Sequence, residues 1–277
     1  MKKIKKFIKK KYHELRIFYL KRISNSFQFE VQLADHCNLN CVGCSHFSPI
    51  ADDNFLNIDS YRKDCERLSE LAKNHVYEIH LLGGEPLLHK DIVDIIEITR
   101  KNFKKSDIKI FTNAILLDRM NSDFWNSCKK NNIIIVLSMY PININIKKIC
   151  ELAFEYQVKI SRENSGFTML FRKDVYDTEG AQNIKKTFKQ CKPLCYQFYE
   201  GKLYMCRAPA YIKYINKYFS KEFKVSCVDY VDIYQAKNLK TLTKYFRKPI
   251  PFCRYCNKSA SYNVKWGPTK KEESEWL

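Results

Sequence analysis

Residues 37–44 read Cys37-Asn-Leu-Asn-Cys41-Val-Gly-Cys44, which places three cysteines within eight residues. The stretch follows an alternating apolar run at residues 29–33, so we predict that it forms the loop at the carboxyl end of the first strand. Functional residues of parallel α/β folds concentrate at that edge of the sheet. Thiolates are the ligands of iron–sulfur clusters. Three of them can hold three corners of a [4Fe–4S] cluster and leave the fourth iron open.

A structural zinc site is the alternative for these cysteines. Zinc usually takes four protein ligands and favours cysteine pairs separated by two residues, and His36 or His46 would complete such a set here. Three cysteines in C-x3-C-x2-C spacing on the loop after a first strand are more typical of an iron–sulfur cluster. We therefore expect the cluster and keep zinc as the alternative.

Strands and helices alternate on the carboxyl side of this loop. Short β-rich runs and longer runs of helical periodicity follow one another, which predicts right-handed βαβ units and a parallel sheet. Five or six such units are too few to close an eight-stranded barrel, so we predict an α/β fold, a curved partial (β/α) barrel. The predicted strands are 29–33, 77–82, 108–112, 133–137 and 158–160, and the predicted helices are 59–74, 91–103, 122–130 and 146–156.

A second motif, Leu82-Gly83-Gly84-Glu85-Pro86, ends the second predicted strand. Two glycines let the backbone approach a neighbouring group without a clash at Cβ, so we expect a ligand to lie close to them. Without the cysteine loop, the same residues would be an ordinary strand-to-helix turn in which Glu85 and Pro86 start the next helix.

Together, the two motifs resemble the signature of the radical S-adenosylmethionine (SAM) superfamily, and residues 28–165 resemble its partial-barrel core. The resemblance implies one catalytic [4Fe–4S] cluster on Cys37, Cys41 and Cys44. It also implies that the amine and carboxylate of S-adenosyl-L-methionine chelate the open iron, and that residues 83–86 hydrogen-bond the SAM amine. The implied reaction is reductive cleavage of SAM to methionine and a 5′-deoxyadenosyl radical, which abstracts hydrogen from a substrate.

The ends of the third and fourth predicted strands carry small polar residues. Thr112 and Asn113 follow strand three, and Ser138 follows strand four. By the same resemblance they are candidates to bind the ribose hydroxyls of SAM. Turn and cap chemistry favours the same residue types, so a purely structural role stays open for all three.

The adenine contact of SAM departs from the family pattern. The family often places an aromatic residue directly before the third cysteine, but Gly43 occupies that position here. Adenine packing must then come from another side chain, and Phe47 and His46 are the candidates.

A second group of cysteines lies after residue 190, at Cys191, Cys195, Cys206, Cys253 and Cys256. A predicted hairpin turn between residues 196–199 and 203–205 would bring the cysteines on its two sides together. The group resembles the opening of the SPASM and shorter twitch extensions of radical SAM enzymes. That resemblance implies one auxiliary [4Fe–4S] cluster on Cys191, Cys206, Cys253 and Cys256, with Cys195 as the rival of Cys191. A four-cysteine zinc site is the alternative.

These patterns divide the chain into four predicted parts. They are a basic amphipathic helix at 1–26, a radical SAM core at 27–188, a small cysteine-rich auxiliary-cluster module at 189–262 and a charged tail at 263–277. We expect the tail to be disordered from Pro268 onward. The remaining cysteines, Cys65, Cys128, Cys150 and Cys227, are expected to be small buried side chains.

The N-terminal helix carries much of the positive charge. Residues 1–25 hold ten Lys or Arg against one acidic residue, a net charge of +9 in a chain whose formal net charge is +19. Two interpretations stay open. The helix either docks on its own domain with its lysines in solvent, or contacts an anionic membrane surface through residues 1–24.

Cysteine usage bears on the compartment. The chain has 12 cysteines but no secretory signal, because Lys9, Lys10, Lys11 and Arg16 interrupt any apolar segment near the N-terminus. In a reducing cytoplasm clustered cysteines bind metal more often than they pair. We therefore expect a cytoplasmic protein, peripheral to the inner face of the membrane if the helix binds lipid.

For function, we expect hydrogen abstraction from a small polar or sugar-like substrate, with a flavodoxin or ferredoxin as electron donor. The auxiliary cluster would accept the electron of the substrate radical, which makes the reaction a net oxidation, or would bind substrate. The alternatives are a peptide-modifying SPASM-type maturase and a zinc-binding basic protein that contacts nucleic acid. Metal analysis distinguishes the last from the enzyme, because it would find zinc instead of iron with acid-labile sulfide.

Overall fold

The computed structural model describes residues 2–21, 25–163, 166, 168–191, 196–243 and 248–277. Its strands are β1 (Phe27–Gln32), β2 (Val76–Leu82), β3 (Asp107–Thr112), β4 (Ile134–Leu137), β5 (Lys159–Arg162), β6 (Leu170–Lys173), β7 (Tyr196–Tyr199), β8 (Lys202–Tyr204), β9 (Tyr230–Asp232) and β10 (Tyr262–Lys265). Its helices are α1 (Lys2–Leu20), α2 (Ile58–Ala72), α3 (Ile92–Asn102), α4 (Ser122–Lys130), α5 (Ile146–Glu155), α6 (Ile184–Cys191), α7 (Arg207–Tyr211), α8 (Lys213–Phe219) and α9 (Leu239–Thr243).

The first five strands form a parallel sheet in the order β5-β4-β3-β2-β1. Parallel neighbours need a crossover connection, and α2, α3, α4 and α5 supply one between each successive pair. Ile79 and Leu81 of β2 and Ile108 and Ile110 of β3 are fully buried, so the sheet packs its apolar side chains against these helices. The predicted α/β partial barrel is confirmed.

Asparagine caps fix where three of the crossover helices begin. The Asn57, Asn121 and Asn145 side chains each accept a hydrogen bond from the backbone N–H three residues ahead, at the start of α2, α4 and α5. Such caps satisfy an N–H group that the first helical turn leaves unpaired. The observed helices start within one residue of the predicted ones for this reason.

The sheet continues on the other side of β1. Strand β7 pairs with β1 in parallel, and β8 and β9 extend the sheet in antiparallel order. Glu200 and Gly201 join β7 to β8 with φ values of 46° and 66°, the left-handed pair that a tight hairpin turn requires. The predicted hairpin is confirmed. Because β7 pairs with β1, the hairpin places Cys206, which follows β8, near the strand that precedes the first cysteine loop. The module boundary near residue 188 stays a prediction.

The C-terminal tail is ordered, so the prediction of disorder from Pro268 is wrong. Strand β10 pairs with β6, and a short helical turn, Glu273–Glu275, follows. Trp276 is only 1% exposed and packs against the ring of Phe219 at a centroid distance of 5.9 Å. The prediction weighed the charges of the tail, whereas the burial of one large aromatic side chain near its end determines where it lies.

Helix α1 docks on the sheet through its C-terminal half. His13 lies 2.7 Å from the carboxylate of Asp107, and Arg16 donates to two backbone carbonyls in the loops before β2 and β3. Ile17 and Leu20 are each only 8% exposed. This is the docked arrangement that the sequence left open.

The opposite face of α1 is apolar and exposed. Tyr12, Leu15, Phe18 and Tyr19 have exposed fractions between 56% and 71%. Among the described residues, no helix is long and apolar enough to cross a membrane.

The isolated cysteines divide into two kinds. Cys65 and Cys128 are fully buried, as predicted. Cys150 and Cys227 are exposed, so the prediction is wrong for them. On α5 the buried face is formed by Ile149 and Ala153, and the residue after Ile149 on a helix points away from that face.

Candidate cluster site and adjoining cavity

The loop that carries the first three cysteines is held against the end of β2. Beyond the last pair of β1 and β2, the N–H of Leu33 donates to the carbonyl of Leu82 at 2.7 Å, and the N–H of Gly84 donates to that of Ala34 at 2.8 Å. The N–H of Glu85 donates to the backbone carbonyl of His36, the residue before Cys37, at 3.2 Å. The two predicted motifs therefore form one unit at the carboxyl edge of the sheet.

Gly83 and Gly84 are necessary for this contact. A Cβ atom at Gly83 would lie 2.5 Å from the carbonyl oxygen of Ala34, and one at Gly84 would lie 1.9 Å from that of His36. The sequence interpretation expected a ligand near these glycines, but their nearest neighbour is the backbone of the cysteine loop. Both glycines also line the cavity that opens beside that loop.

A cavity of about 430 Å³ lies at this edge of the sheet. All three cysteines of the first group line it, together with five of the seven residues predicted to bind SAM: Gly83, Gly84, Thr112, Asn113 and Ser138. Glu85 and Pro86 do not. A larger cavity of about 650 Å³ near Asn143 and Lys147 contains no cysteine, so the chemistry places the site in the smaller one.

The three thiols suit an iron–sulfur cluster. The Cys37 sulfur accepts a hydrogen bond from the N–H of Leu39, and the Cys41 sulfur accepts one from the indole N–H of Trp266, each at 3.3 Å. Burial raises the pKa of Cys37 to about 12 and that of Cys41 to about 11. Iron would supply the positive charge that stabilises their thiolates. Because the thiols lie on one loop beside a cavity, a cluster here would have room for a ligand that the protein does not supply.

Glu85 is buried between the ends of two strands. Its carboxylate accepts hydrogen bonds from the Thr112 hydroxyl at 2.7 Å, the Asn113 N–H at 2.9 Å and the Leu87 N–H at 3.1 Å. Burial raises the pKa of Glu85 to about 7, although these three donors oppose the shift. Glu85 thus joins the end of β2 to the end of β3. The Thr112 hydroxyl is already used in this contact, and its ribose contact stays a prediction.

Two further predicted polar residues face the cavity. The Asn113 side chain donates to the carbonyl oxygen of the Asn38 amide at 2.7 Å, next to Cys37. The Ser138 hydroxyl donates to the carboxylate of Glu163 at 2.7 Å. The sequence interpretation missed Glu163, although it follows β5 directly and obeys the same strand-end rule that identified Ser138.

The two candidates for adenine packing differ in position. Phe47 is fully buried and packs against Tyr176 at a centroid distance of 5.9 Å. It does not line the cavity, so the expectation is wrong for Phe47. His46 does line it. A further aromatic surface beside the cysteines went unpredicted: Tyr140 lines the cavity, and its ring stacks on that of Trp266 at 5.8 Å and 20°.

Part of the cavity wall is charged and was not found from the sequence. Arg207 of α7 lies 3.8 Å from the carboxylate of Glu30 on β1, and about a third of its side chain (35%) is accessible. Both residues line the cavity, as does Ser48, whose buried hydroxyl has no hydrogen-bond partner among the described residues. Arg207 could have been found, because it directly follows Cys206.

His46 also lies at this end of the cavity. Its Nδ1 lies 3.0 Å from the Gln32 side-chain oxygen, while the Gln32 amide nitrogen donates to Asp35 at 2.8 Å. Burial, with a smaller effect from Arg207, lowers the pKa of His46 to about 3. The ring is therefore neutral at physiological pH, and its Nδ1–H donates to the Gln32 oxygen, which leaves Nε2 as an acceptor.

The second cysteine group also converges. Cys191 ends α6, Cys206 precedes α7, and Cys253 and Cys256 lie on the turn Pro251–Tyr255 and just after it. Burial and, to a smaller extent, the neighbouring thiols of Cys191 and Cys253 raise the pKa of Cys206 to about 12. The pKa values of Cys253 and Cys256 are also raised, first by burial and then by their neighbouring thiols. Cys195 lies outside the described residues.

No single-ion site is found at either group. Among the described residues, no set of three or more His, Cys, Asp or Glu side chains is arranged to hold one metal ion.

Comparison with known proteins gives two results for the sequence. The family model described as "Radical SAM superfamily" matches residues 31–172. Curated relatives include the GTP 3',8-cyclase of Clostridium botulinum strain Hall, 38% identical over 90 residues, which are 32% of this chain and 28% of that protein. The enzyme of the same name from Clostridium perfringens strain 13 is 33% identical over 107 residues, 37% of this chain and 32% of that protein. The match thus spans less than a third of the length of these relatives.

One solved structure resembles nearly the whole chain. It is the crystal structure of BtrN in complex with AdoMet and 2-DOIA, with 14% sequence identity and a TM-score of 0.50 over 91% of this chain and 98% of that one. At this identity the likeness concerns the fold alone. It extends beyond residue 172 into the region of the second cysteine group.

Proposed function

Because this chain belongs to the radical SAM superfamily, whose members use a [4Fe–4S] cluster and S-adenosyl-L-methionine, we propose that Cys37, Cys41 and Cys44 hold that cluster. When bound there, the cluster and SAM would supply a 5′-deoxyadenosyl radical, formed with methionine by one electron from a flavodoxin or ferredoxin, and this radical would take a hydrogen atom from the substrate. The residues of the chain orient both reactants and keep water away. The support is that the three thiols and the predicted SAM-binding glycines line one cavity.

The substrate is a small polar molecule of the sugar or cyclitol type. The observation that carries this is the Glu30–Arg207 pair, which lines the cavity that the three thiols also line. A carboxylate accepts hydrogen bonds and a guanidinium donates them, so the pair can hold two neighbouring hydroxyl groups. The neutral His46 and the unpartnered Ser48 hydroxyl add an acceptor and a further polar contact. A site built from buried polar groups discriminates strongly against ligands that leave them unpaired.

The second cysteine group holds an auxiliary [4Fe–4S] cluster on Cys191, Cys206, Cys253 and Cys256. Its support is the mutual proximity of the four thiols. Arg207, which follows Cys206 in the chain, lines the cavity, so the group lies close to the substrate. A cluster held there would accept one electron from the substrate radical, which would lose a proton to solvent, so that the reaction would be a two-electron oxidation of the substrate.

Residues 1–24 contact an anionic membrane from its cytoplasmic side. The support is the combination of nine net positive charges in this region with the exposed apolar face of Tyr12, Leu15 and Tyr19. Helices that combine these two features bind lipid interfaces.

One assay tests the proposed reaction. After anaerobic reconstitution with iron and sulfide, the parent protein should form 5′-deoxyadenosine from SAM, and the triple variant with Cys37, Cys41 and Cys44 replaced by Ala should form none. Retained cleavage in the triple variant would refute the site. For the substrate, a panel of cyclitols, nucleotide sugars and peptides is added. We expect only sugar-like compounds to accelerate 5′-deoxyadenosine formation, and deuterium on the substrate carbon to appear in it. Acceleration by peptides alone would favour the peptide-modifying alternative.

A further inference from the structure

The last twelve residues of the chain, 266–277, hold the first cysteine loop in place. We refer to them as the C-terminal segment. Four hydrogen bonds join the cysteine loop to the C-terminal segment. The loop provides the donor in two of them, and the segment provides the donor in the other two. They run from Val42 N–H to the Gly267 carbonyl at 2.9 Å, from Thr269 N–H to the Asn40 carbonyl at 2.8 Å, from Gly43 N–H to the Glu275 carboxylate at 3.2 Å, and from the Trp276 indole N–H to the Cys44 carbonyl at 3.0 Å.

A fifth hydrogen bond reaches a sulfur atom. The indole N–H of Trp266 donates to the sulfur of Cys41 at 3.3 Å. The ring is fixed from two sides, because its backbone N–H donates to the carbonyl of Met169 at 2.9 Å and its face stacks on Tyr140. Cys41 is only 8% exposed, so little water can replace this donor. An indole has a single N–H, so the sulfur of Cys41 accepts the only hydrogen bond that the Trp266 ring can donate.

We propose that Trp266 is a positioning residue of the catalytic cluster, and that its hydrogen bond to Cys41 raises the reduction potential of that cluster. The proposal rests on the proposed function, because it requires a cluster on Cys37, Cys41 and Cys44. Reduction adds negative charge to the cluster and its thiolates. A donor aimed at a ligand sulfur stabilises that charge, and hydrogen bonds to sulfur are among the factors that set such potentials. In a site that excludes water the effect is stronger than in solvent.

The test compares two variants, each of which lacks one indole N–H. The two N–H groups donate to different acceptors, a sulfur atom in one case and a backbone carbonyl in the other. Trp266→Phe removes the donor to sulfur, while Trp276→Phe removes a donor to the backbone carbonyl of Cys44 in the same loop. Each reconstituted protein is titrated with dithionite and mediators without SAM, and the potential is read by electron paramagnetic resonance. The catalytic cluster is identified as the signal that changes when SAM is added. We expect a more negative midpoint for Trp266→Phe than for the parent, and a parent-like midpoint for Trp276→Phe.

Two outcomes overturn the proposal. One is an unchanged midpoint in a Trp266→Phe protein that retains its full iron content. The other is an equal shift in both variants, because the loop position rather than the donor would then set the potential. A parent that assembles no cluster at all contradicts the proposed function itself and the inference with it.

If the Trp266→Phe protein does not retain iron, its potential cannot be measured, and a second measurement tests the hydrogen bond directly. The Trp276→Phe protein, which retains Trp125 and Trp266, is labelled with 15N in the indole ring, and its reduced catalytic cluster is studied by pulsed electron paramagnetic resonance. The Trp125 indole is buried away from any hydrogen-bond partner among the described residues. We therefore expect a 15N coupling that reports the Trp266 hydrogen bond. An intact cluster without that coupling overturns the proposal.

Discussion

At the scale of single residues, Gly84 determines how closely the cysteine loop approaches the second strand. The Cβ of an alanine there would lie 1.9 Å from the carbonyl oxygen of His36, and 2.9 Å from the backbone nitrogen of Cys37. These are backbone atoms, so they cannot move aside as the end of a flexible side chain can. The whole loop would have to shift, and the loop carries the ligands of the proposed cluster.

We therefore expect Gly84→Ala to lower the free energy of unfolding by about 1–3 kcal/mol, a typical cost of overpacking, and to lower iron retention. The measurements are urea unfolding of the apo protein and the iron content after reconstitution. Gly166→Ala is the matched control, because no atom of the described residues lies within 4 Å of a Cβ at that position. An iron content equal to that of the control would show that the loop tolerates the displacement.

Glu85 gives a pH-dependent prediction. Burial raises its pKa from 4.5 to about 7 in the folded protein, so the folded chain holds a proton there that the unfolded chain has lost. Stability must fall as pH rises through this window, because the folded state binds more protons. Relative to Glu85→Gln, which cannot ionise, the parent should lose about 3 kcal/mol of unfolding free energy between the two pKa values.

Urea unfolding of the apo parent and of Glu85→Gln at a series of pH values measures this difference. The gap between the two proteins should widen from pH 4.5 to 7 and stay constant above. A difference that does not change with pH would mean that the Glu85 carboxyl group has the same pKa in the folded and the unfolded protein.

The residues of the site were predictable to different degrees. Cys37, Cys41 and Cys44 could be found because their spacing is local and belongs to few kinds of site. Glu30 and Arg207 could not be paired, because they are far apart in sequence and meet only where β7 joins the sheet next to β1. No local periodicity records such a long-range contact.

At the scale of elements, α1 combines a docked face and an exposed one. Its docked face is fixed by His13, Arg16, Ile17 and Leu20. The exposed side chains of Tyr12, Leu15 and Tyr19 can therefore reach a lipid surface without undocking the helix, as the proposed membrane contact requires.

We expect the variant Tyr12→Ser, Leu15→Ser, Tyr19→Ser to lose binding to vesicles of mixed neutral and anionic phospholipid while SAM cleavage persists. Parent binding should weaken with salt, because exposed charges are screened beyond about 10 Å at 0.1 M ionic strength. Vesicle co-sedimentation measures both effects. Phe154→Ser is the control, since Phe154 is 88% exposed on another helix. Equal binding of the triple variant and the parent would return α1 to a purely structural role.

The elements that the sequence predicted are those with local signals. Helix α4 was predicted at its observed bounds, because Asn121 caps it and its apolar residues recur at helical spacing. Strands β6 and β10 were missed, since each is only four residues long and they pair across about 90 positions of the chain. The ordered C-terminal segment was missed for the same reason, because its partner is the cysteine loop far upstream.

At the scale of the whole molecule, one sheet positions both the first cysteine group and Cys206 of the second. The first follows β1, and Cys206 follows β8, which is separated from β1 only by β7. Gln197 of β7 reinforces this junction, because its side-chain amide donates to the backbone carbonyl of Glu30 at 3.0 Å. The residue after Cys206, Arg207, lines the cavity that the first group also lines, and an electron acceptor for a substrate radical would have to lie near that cavity.

This arrangement predicts separable roles for the two groups. The Cys253→Ala, Cys256→Ala variant should lose about four of eight irons per chain, as expected for one of two [4Fe–4S] clusters, yet still cleave SAM slowly, because the loop at Cys37 is untouched. Oxidation of the substrate should fail, since the substrate radical has lost its acceptor. The matched control is Cys150→Ala, Cys227→Ala, which removes two exposed cysteines outside both groups and should keep all its iron.

Metal binding and folding are coupled in small metal-bound regions, so circular dichroism must first show that the Cys253→Ala, Cys256→Ala variant is folded. A folded variant without the auxiliary iron that oxidises substrate at the parent rate would remove the second group from the reaction. Zinc found in the parent would assign that group a structural role.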